Sequence, residues 1–354
     1  MKHSAFTWLL KPLSRIYGFI TEIRNWLYDN GLFAKYHPDI FTVSVGNLTV
    51  GGTGKTPMIE YLIKRHLNRE ASTTAGTVTL SRGYGRHTKG FRVASTADTA
   101  ATIGDEPLQL YRKFGQQIQV CVGERRADAI KAIQARFPAT RRILLDDAFQ
   151  HRAVSPDLNL LLMDFNRPFY TDYPFPAGRL RENRNGAQRA DALIITKCPV
   201  DLPLADQRLI EERARQYTRP QIPVFFAGLR YDQPTAFATL QPVTGLADVV
   251  LVSGLANADP LEQYVQQQFV MHHHHRFADH RVYSRSDFDR LLAGLASGVS
   301  LLTTEKDWVK LDALLSPAER ATLPLFFLPV QMVLLGEHDR AFNQFLDTAT
   351  LKIR

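Results

Sequence analysis

Lys55 and Thr56 stand directly after the run Gly51-Gly52-Thr53-Gly54 and directly before a helix-compatible stretch that has Pro57 in its first turn. Just upstream, Phe41–Val45 is β-branched or apolar apart from Ser44 and reads as a short buried strand. Strand, glycine turn, Lys-Thr and helix, in that order, make a phosphate-binding loop. Glycines let successive backbone N–H groups turn toward an anion, and the helix N-terminus adds partial positive charge. In such a loop Lys55 reaches the terminal phosphates and Thr56 offers its hydroxyl to Mg2+, while Thr49, Val50, Gly51, Gly52, Thr53 and Gly54 form the cradle. The usual loop has glycine six residues before the lysine; here that position is Thr49, and Gly46 with the later glycines supplies the flexibility.

A second element follows about ninety residues later, where Ile143-Leu144-Leu145 ends in Asp146-Asp147, the pattern of a strand-end carboxylate that helps hold Mg2+. Gln150 and His151 come next and would crowd the same strand end. Arginines recur in loops that suit phosphate or, equally, plain solvent: Arg82 within Ser81–Arg86, and Arg179 and Arg181 before Glu182. Asp105 and Glu106, between Gly104 and Pro107, open a helix; they could favour its dipole, or supply a general base or a metal ligand. Asp279-His280 is either a surface pair or an oriented proton-transferring imidazole. Thr196-Lys197 resembles a guanine-reading motif, but Pro199 stands where that motif needs aspartate, which excludes the GTPase reading. His272–His275 lacks regular metal-ligand spacing.

The elements that must position these groups are legible in outline. Strand candidates Phe41–Val45, Thr77–Leu80, Gln119–Val122, Ile143–Leu145, Asn159–Met163 and Ala192–Thr196 alternate with helical stretches. That alternation predicts an α/β fold of the P-loop NTPase type, a mostly parallel sheet flanked by helices, with its site at the carboxyl ends of the strands. Val224–Ala227, Val249–Val252, Ser300–Thr303 and Leu325–Leu328 predict a second, smaller α/β domain. The predicted division is 1–37, 38–225 and 226–354.

Residues 1–37 form a separate unit. Leu9, Leu13, Ile16, Ile20, Ile23 and Leu27 recur at spacings of four and three, one apolar stripe along a helix, which Trp8, Tyr17, Phe19 and Trp26 widen. Charges interrupt it too often for a membrane span. The stripe either packs on the protein's own core or lies in a membrane interface. The 354-residue chain carries a net charge of +8, which suits an anionic membrane or a phosphorylated substrate; no RNA-binding aromatic motif or zinc-finger spacing supports nucleic acid. Two cysteines can build neither a disulfide framework nor a thiolate metal site.

Taken in order, Ser44–Pro57, Leu80–Arg86, Gly104–Pro107, Leu145–Arg152, Pro176–Glu182, Thr196–Pro199, Phe277–His280 and Thr303–Asp307 resemble the tetraacyldisaccharide 4′-kinase family of Gram-negative bacteria. The Thr49 departure is shared with that family's loop. The resemblance implies ATP- and Mg2+-dependent phosphorylation of the 4′-hydroxyl of a tetraacylated glucosamine disaccharide 1-phosphate. It implies peripheral attachment to the cytoplasmic face of the inner membrane through the N-terminal helix; no stable protein partner is inferred. It further implies Asp105 as the proton acceptor, His280 as its partner, Thr56 with Asp146 or Asp147 at the metal, and Glu106, Gln150 and His151 in support. The rival reading is a P-loop switch or partitioning ATPase, whose turnover would need no lipid.

Overall fold

The computed structural model describes residues 5–69 and 76–351, with side chains from residue 9 onward, so Trp8 lies outside the described side chains. Nine strands build the larger sheet: β1 (Phe41–Asn47), β2 (Thr77–Ser81), β3 (Arg92–Val93), β4 (Gln119–Val122), β5 (Arg142–Asp146), β6 (Leu158–Asp164), β7 (Ala192–Thr196), β8 (Val224–Tyr231) and, far along the chain, β14 (Val330–Leu334). Their order is β14-β8-β7-β6-β1-β5-β2-β4-β3, with the interior pairs parallel and the two edge pairs antiparallel. β1 lies between β5 and β6 and is covered on both faces, so its burial does not alternate along the strand. In-register pairing sets Val45 beside Asp146, so the glycine loop and the paired acids leave the same sheet edge.

Five strands build the smaller sheet, in the order β11-β10-β12-β13-β9: β9 (Thr235–Ala236), β10 (Asp248–Ser253), β11 (Val270–Arg276), β12 (Ser300–Thr304) and β13 (Leu325–Leu328). All ten strands expected from the sequence are present, some longer by one to four residues. Four others were not anticipated: β3, β9, β11 and β14. β11 contains the histidine run on a sheet edge, where His272 bonds Asp248 at 2.7 Å and His274 bonds Glu262 at 2.9 Å. β14 follows β13 with only Pro329 between them, yet the two strands belong to different sheets. Pro329 lacks an N–H to continue a ladder, and its carbonyl instead accepts from Asp232 N at 2.9 Å. The chain thus returns to the larger sheet after residue 329, and the helix His338–Leu351 packs there, Phe342 against Phe225 with ring centroids 4.8 Å apart. The sequence division at 225/226 runs through β8, which continues in the larger sheet to Tyr231.

The N-terminal helix spans Ala5–Asp29. Its small and polar residues dock: Ser14 Oγ accepts from Ala177 N at 2.8 Å, Tyr17 Oη donates to the Arg181 carbonyl at 3.0 Å, and Asn25 Nδ2 donates to Glu182 at 2.8 Å. Leu9, Leu13, Ile16, Phe19, Ile20 and Trp26 are each more than half exposed. The stripe therefore faces away from the core, which removes the reading in which it packs on the protein itself. Among the described residues, no helix is long and apolar enough to cross a membrane.

Candidate active site

The glycine loop leaves β1 at Asn47, whose Nδ2 donates to Thr53 Oγ1 at 2.7 Å in a buried bond across the turn. Gly51 and Gly54 hold φ of +108° and +82°, a region that side chains make costly. The helix Lys55–Arg69 starts at once, and Met58 N already donates to the Gly54 carbonyl at 3.1 Å. A neighbouring loop braces the cradle: Val50 N donates to the Arg179 carbonyl at 2.9 Å and Arg181 N to the Leu48 carbonyl at 2.7 Å. Lys197 and Thr196 brace the other side, Thr196 Oγ1 donating to the Thr53 carbonyl at 2.9 Å and Lys197 to the Gly52 carbonyl and to Asp164. The Thr-Lys pair thus holds the phosphate loop, a role that its likeness to a base-reading motif did not suggest.

Asp146 ends β5 and Asp147 follows with φ of +48°. Lys55 Nζ stands 3.6 Å from Asp147 Oδ1, and Arg181 Nη1 donates to both oxygens of Asp147 at 2.8 and 2.9 Å. Burial would raise the Asp147 carboxyl, but Lys55 and Arg181 outweigh it and hold the group below its ordinary range. Asp146 behaves oppositely. Burial and the nearby Glu106 push it up to about 7 against the pull of Lys55. Its Oδ1 is buried without a hydrogen-bond partner, as an oxygen awaiting a cation would be. Burial likewise raises Glu106, which feels Lys55, Asp105, Lys306 and Asp147 together. Those five charged groups converge on one cluster.

Across from the loop, Asp105 begins the helix Asp105–Phe114 and is 7% exposed. His280 Nδ1 lies 2.9 Å from Asp105 Oδ2. The hydrogen bond to Asp105 raises His280 above the ordinary histidine range. Burial works to raise Asp105, yet the His280 bond and the Lys306 charge hold it low, so its carboxylate is an anion ready to accept a proton. The two residues are 175 apart in the chain, and the pairing joins the larger sheet's helix to the loop after β11.

The remaining expected residues surround this centre. Gln150 Nε2 donates to the Asn47 carbonyl and to Glu182, both at 2.9 Å, tying the acid loop to the glycine loop. His151 is pushed down to about 4 by burial and by the charges of Arg126, Arg82 and Arg24, so it is a neutral imidazole at neutral pH. Arg82 and Arg179 are exposed at the rim. Sequence reading missed Arg126, buried beneath the acids with Nη2 3.3 Å from the Asp146 carbonyl, and the bracing of Lys197 by Asp164 at 2.8 Å. It placed Thr303–Asp307, a strand-end loop open to a ligand role, among the segments that resemble the family but gave Lys306 no role of its own; the structure puts Lys306 beside His280. Nothing local marks Arg126, because an arginine on a helix ordinarily reads as solvated.

A glycine loop and paired acids on one sheet, faced by an Asp-His pair closed by a second sheet, define a P-loop phosphotransferase. The Tetraacyldisaccharide-1-P 4'-kinase (LpxK) family model matches residues 6–351, and the chain belongs to that family. It is 38% identical over 351 residues to the tetraacyldisaccharide 4'-kinase of Cytophaga hutchinsonii, covering 98% of this chain and 95% of that one. It is 36% identical over 355 residues to the enzyme of the same name from Bacteroides thetaiotaomicron, covering 95% and 91%. The crystal structure of the "apo" form of LpxK from Aquifex aeolicus in complex with ATP matches with a TM-score of 0.75 at 26% identity, over 98% of this chain and 99% of that one. The chain is accordingly a lipid kinase, and the partitioning-ATPase reading falls away.

Proposed function

We propose that this chain transfers the γ-phosphoryl group of ATP to the 4′-hydroxyl of a tetraacylated glucosamine disaccharide 1-phosphate, producing the bis-phosphorylated precursor of lipid A. The observation that carries the reading is the Asp105–His280 pair, 2.9 Å apart, set against the cluster of Lys55, Glu106, Asp146 and Asp147. An ATPase that only hydrolyses its nucleotide needs no such pair bridging the two sheets. A sugar hydroxyl is a poor nucleophile and benefits from a base at the attacking oxygen. Asp105 takes the hydroxyl proton as the new O–P bond forms and the bond to the ADP oxygen breaks; His280 orients Asp105 through Nδ1. Lys55 and the amides of residues 51–56 stabilise the charge on the transferring group. Thr56 with Asp146 and Asp147 would hold Mg2+, the orphaned Asp146 Oδ1 being the best-placed donor. A bound ion would supply positive charge to offset the negative charge of the phosphates. Arg82, Arg179 and Arg181 supply further positive charge for phosphate on ATP or acceptor.

The same reading assigns membrane contact to residues 1–37, nucleotide grip to 38–225 and the closing half of the base pair to 226–354. The exposed face of the first helix, beside the loop that braces the cradle, would lie in the interface at the cytoplasmic side of the bacterial inner membrane. There the acyl chains could stay in the bilayer while the sugar enters the cleft. Basic side chains near an anionic surface would contribute about 1 kcal/mol each. A transfer assay with γ-labelled ATP tests the whole reading: label should move to the lipid disaccharide and stay on the nucleotide without an acceptor. Release of free phosphate that is indifferent to the lipid would overturn it.

A further inference from the structure

His280 is held from both sides. Its Nδ1 faces Asp105, and its Nε2 lies 3.2 Å from Lys306 Nζ. Lys306 sits at the start of the helix Glu305–Asp312, and its side chain is 16% exposed. Its ammonium donates to Asp279 Oδ1 at 2.8 Å and lies 3.8 Å from Asp105 Oδ2. Asp279 Oδ1 also accepts from the backbone N of His280 at 3.0 Å. Within these contacts His280 sits at φ of +58°, a left-handed conformation uncommon outside glycine.

We infer that Lys306 is a positioning residue for phosphoryl transfer: when His280 is neutral, Lys306 fixes the tautomer that carries its hydrogen on Nδ1. The argument rests on donor counting. Asp105 as an anion offers only acceptors, so Nδ1 must carry the hydrogen. An ammonium offers only donors, so the nitrogen facing it must present a lone pair. A hydrogen on Nε2 would meet Lys306 head on, and the next acceptor, Asp279 Oδ2, lies 3.9 Å away, beyond hydrogen-bond reach. The Lys306 ammonium, 3.8 Å from Asp105 and also bonded to Asp279, already helps hold Asp105 as an anion. A proton on Nε2 would add a second positive charge beside it and weaken Asp105 further as a base.

The charged groups around the imidazole act in opposite directions. Asp105 and Asp279 raise its proton affinity, and Lys306 lowers it. Glu106, on the Asp105 helix, and Lys310, one turn beyond Lys306, act on the neighbouring carboxylate and ammonium. The Tyr84 ring, 5.4 Å from the imidazole, closes the remaining side.

The inference rests on the phosphoryl-transfer reading above for its purpose, but its first test needs no lipid. Imidazole nitrogen shifts of the full chain, with His280 assigned through His280→Gln, should show a bare Nε2 in wild type at mildly alkaline pH. In Lys306→Met the His280 titration should move up by about one pH unit. The acid limb of kcat should follow it, with kcat at neutral pH down about ten-fold and KM for ATP within about three-fold. Lys306→Arg should bring the titration and the acid limb back toward wild type, and Asp279→Asn, which removes an anion that raises the imidazole's proton affinity, should move the titration down instead of up. A wild-type Nε2 that carries a hydrogen at mildly alkaline pH overturns the inference. So does a His280 titration that Lys306→Met leaves unmoved, even if turnover falls. Loss of lipid phosphorylation in wild type would sink the function and leave the tautomer readable.

Discussion

Lys55 Nζ lies 3.6 Å from Asp147 Oδ1, and this ion pair joins the start of the phosphate-loop helix to the end of β5. The loop cation and the paired acids are therefore held in one place by each other as well as by the sheet. Arg181, from the loop against which the first helix docks, completes the arrangement by gripping the same carboxylate.

The base pair can be tested by removal. Asp105→Ala and His280→Ala should each lower turnover by about two orders of magnitude or more, while nucleotide affinity changes little. Lys55→Ala should lose turnover comparably and weaken nucleotide binding as well. Stopped turnover together with isothermal titration of nucleotide separates the two patterns. Near-normal turnover in both Asp105 and His280 variants would reject the pair.

A buried triad at the junction of the sheets makes stability depend on pH. Lys113 Nζ lies 2.5 Å from both Glu60 and Glu305, joining the phosphate-loop helix, the Asp105 helix and the Lys306 helix. Burial, then the charge of Glu60, pushes Glu305 up to about 7 despite Lys113. A carboxyl whose pKa is higher folded than unfolded binds its proton more tightly in the native state. Stability from this group is therefore present below the unfolded value, near 4.5, and is lost as pH rises toward about 7. Thermal melts across that window should show Tm falling with pH in wild type and a flatter line in Glu305→Gln. An unchanged slope would remove Glu305 as its source.

The exposed face of the first helix predicts a separation of stability from membrane binding. Ile16, Phe19 and Ile20 are each 58–62% exposed, so changing all three to glutamine should leave Tm within about 1 °C. Binding to anionic vesicles should fall at least about ten-fold, since each side chain loses roughly 1 kcal/mol or more of apolar burial. Sedimentation with vesicles reads the effect; equal binding by the triple variant would remove this face as the contact.

Packing at the end of β1 supplies a fourth test. A Cβ at Gly46 would stand 2.6 Å from the Cβ of Phe149 and 2.8 Å from its backbone nitrogen. Gly46→Ala must therefore push the acid loop away from the glycine loop. A loss of about 1–3 kcal/mol in denaturant unfolding is expected, with turnover reduced beyond what the lost stability explains. A variant as stable and active as wild type would show that the two loops tolerate separation.

The amino-acid order by itself determined the parts that depend on near neighbours. A strand, a glycine turn and a Lys-Thr pair at a helix start form one local unit, and an apolar run that ends in Asp146-Asp147 announces its own sheet edge. The first helix was legible for the same reason, since one face of a helix is a matter of spacing. The pairing of Asp105 with His280 came from resemblance to a family, because no local rule joins residues 175 apart. Tertiary structure alone decided that β13 and β14, one proline apart, part into two sheets, that the apolar stripe of the first helix turns outward, and that Lys306 faces the imidazole. Each of those outcomes is set by what lies across space: which sheet edge is open, which polar groups find partners, and which charges must share one buried site.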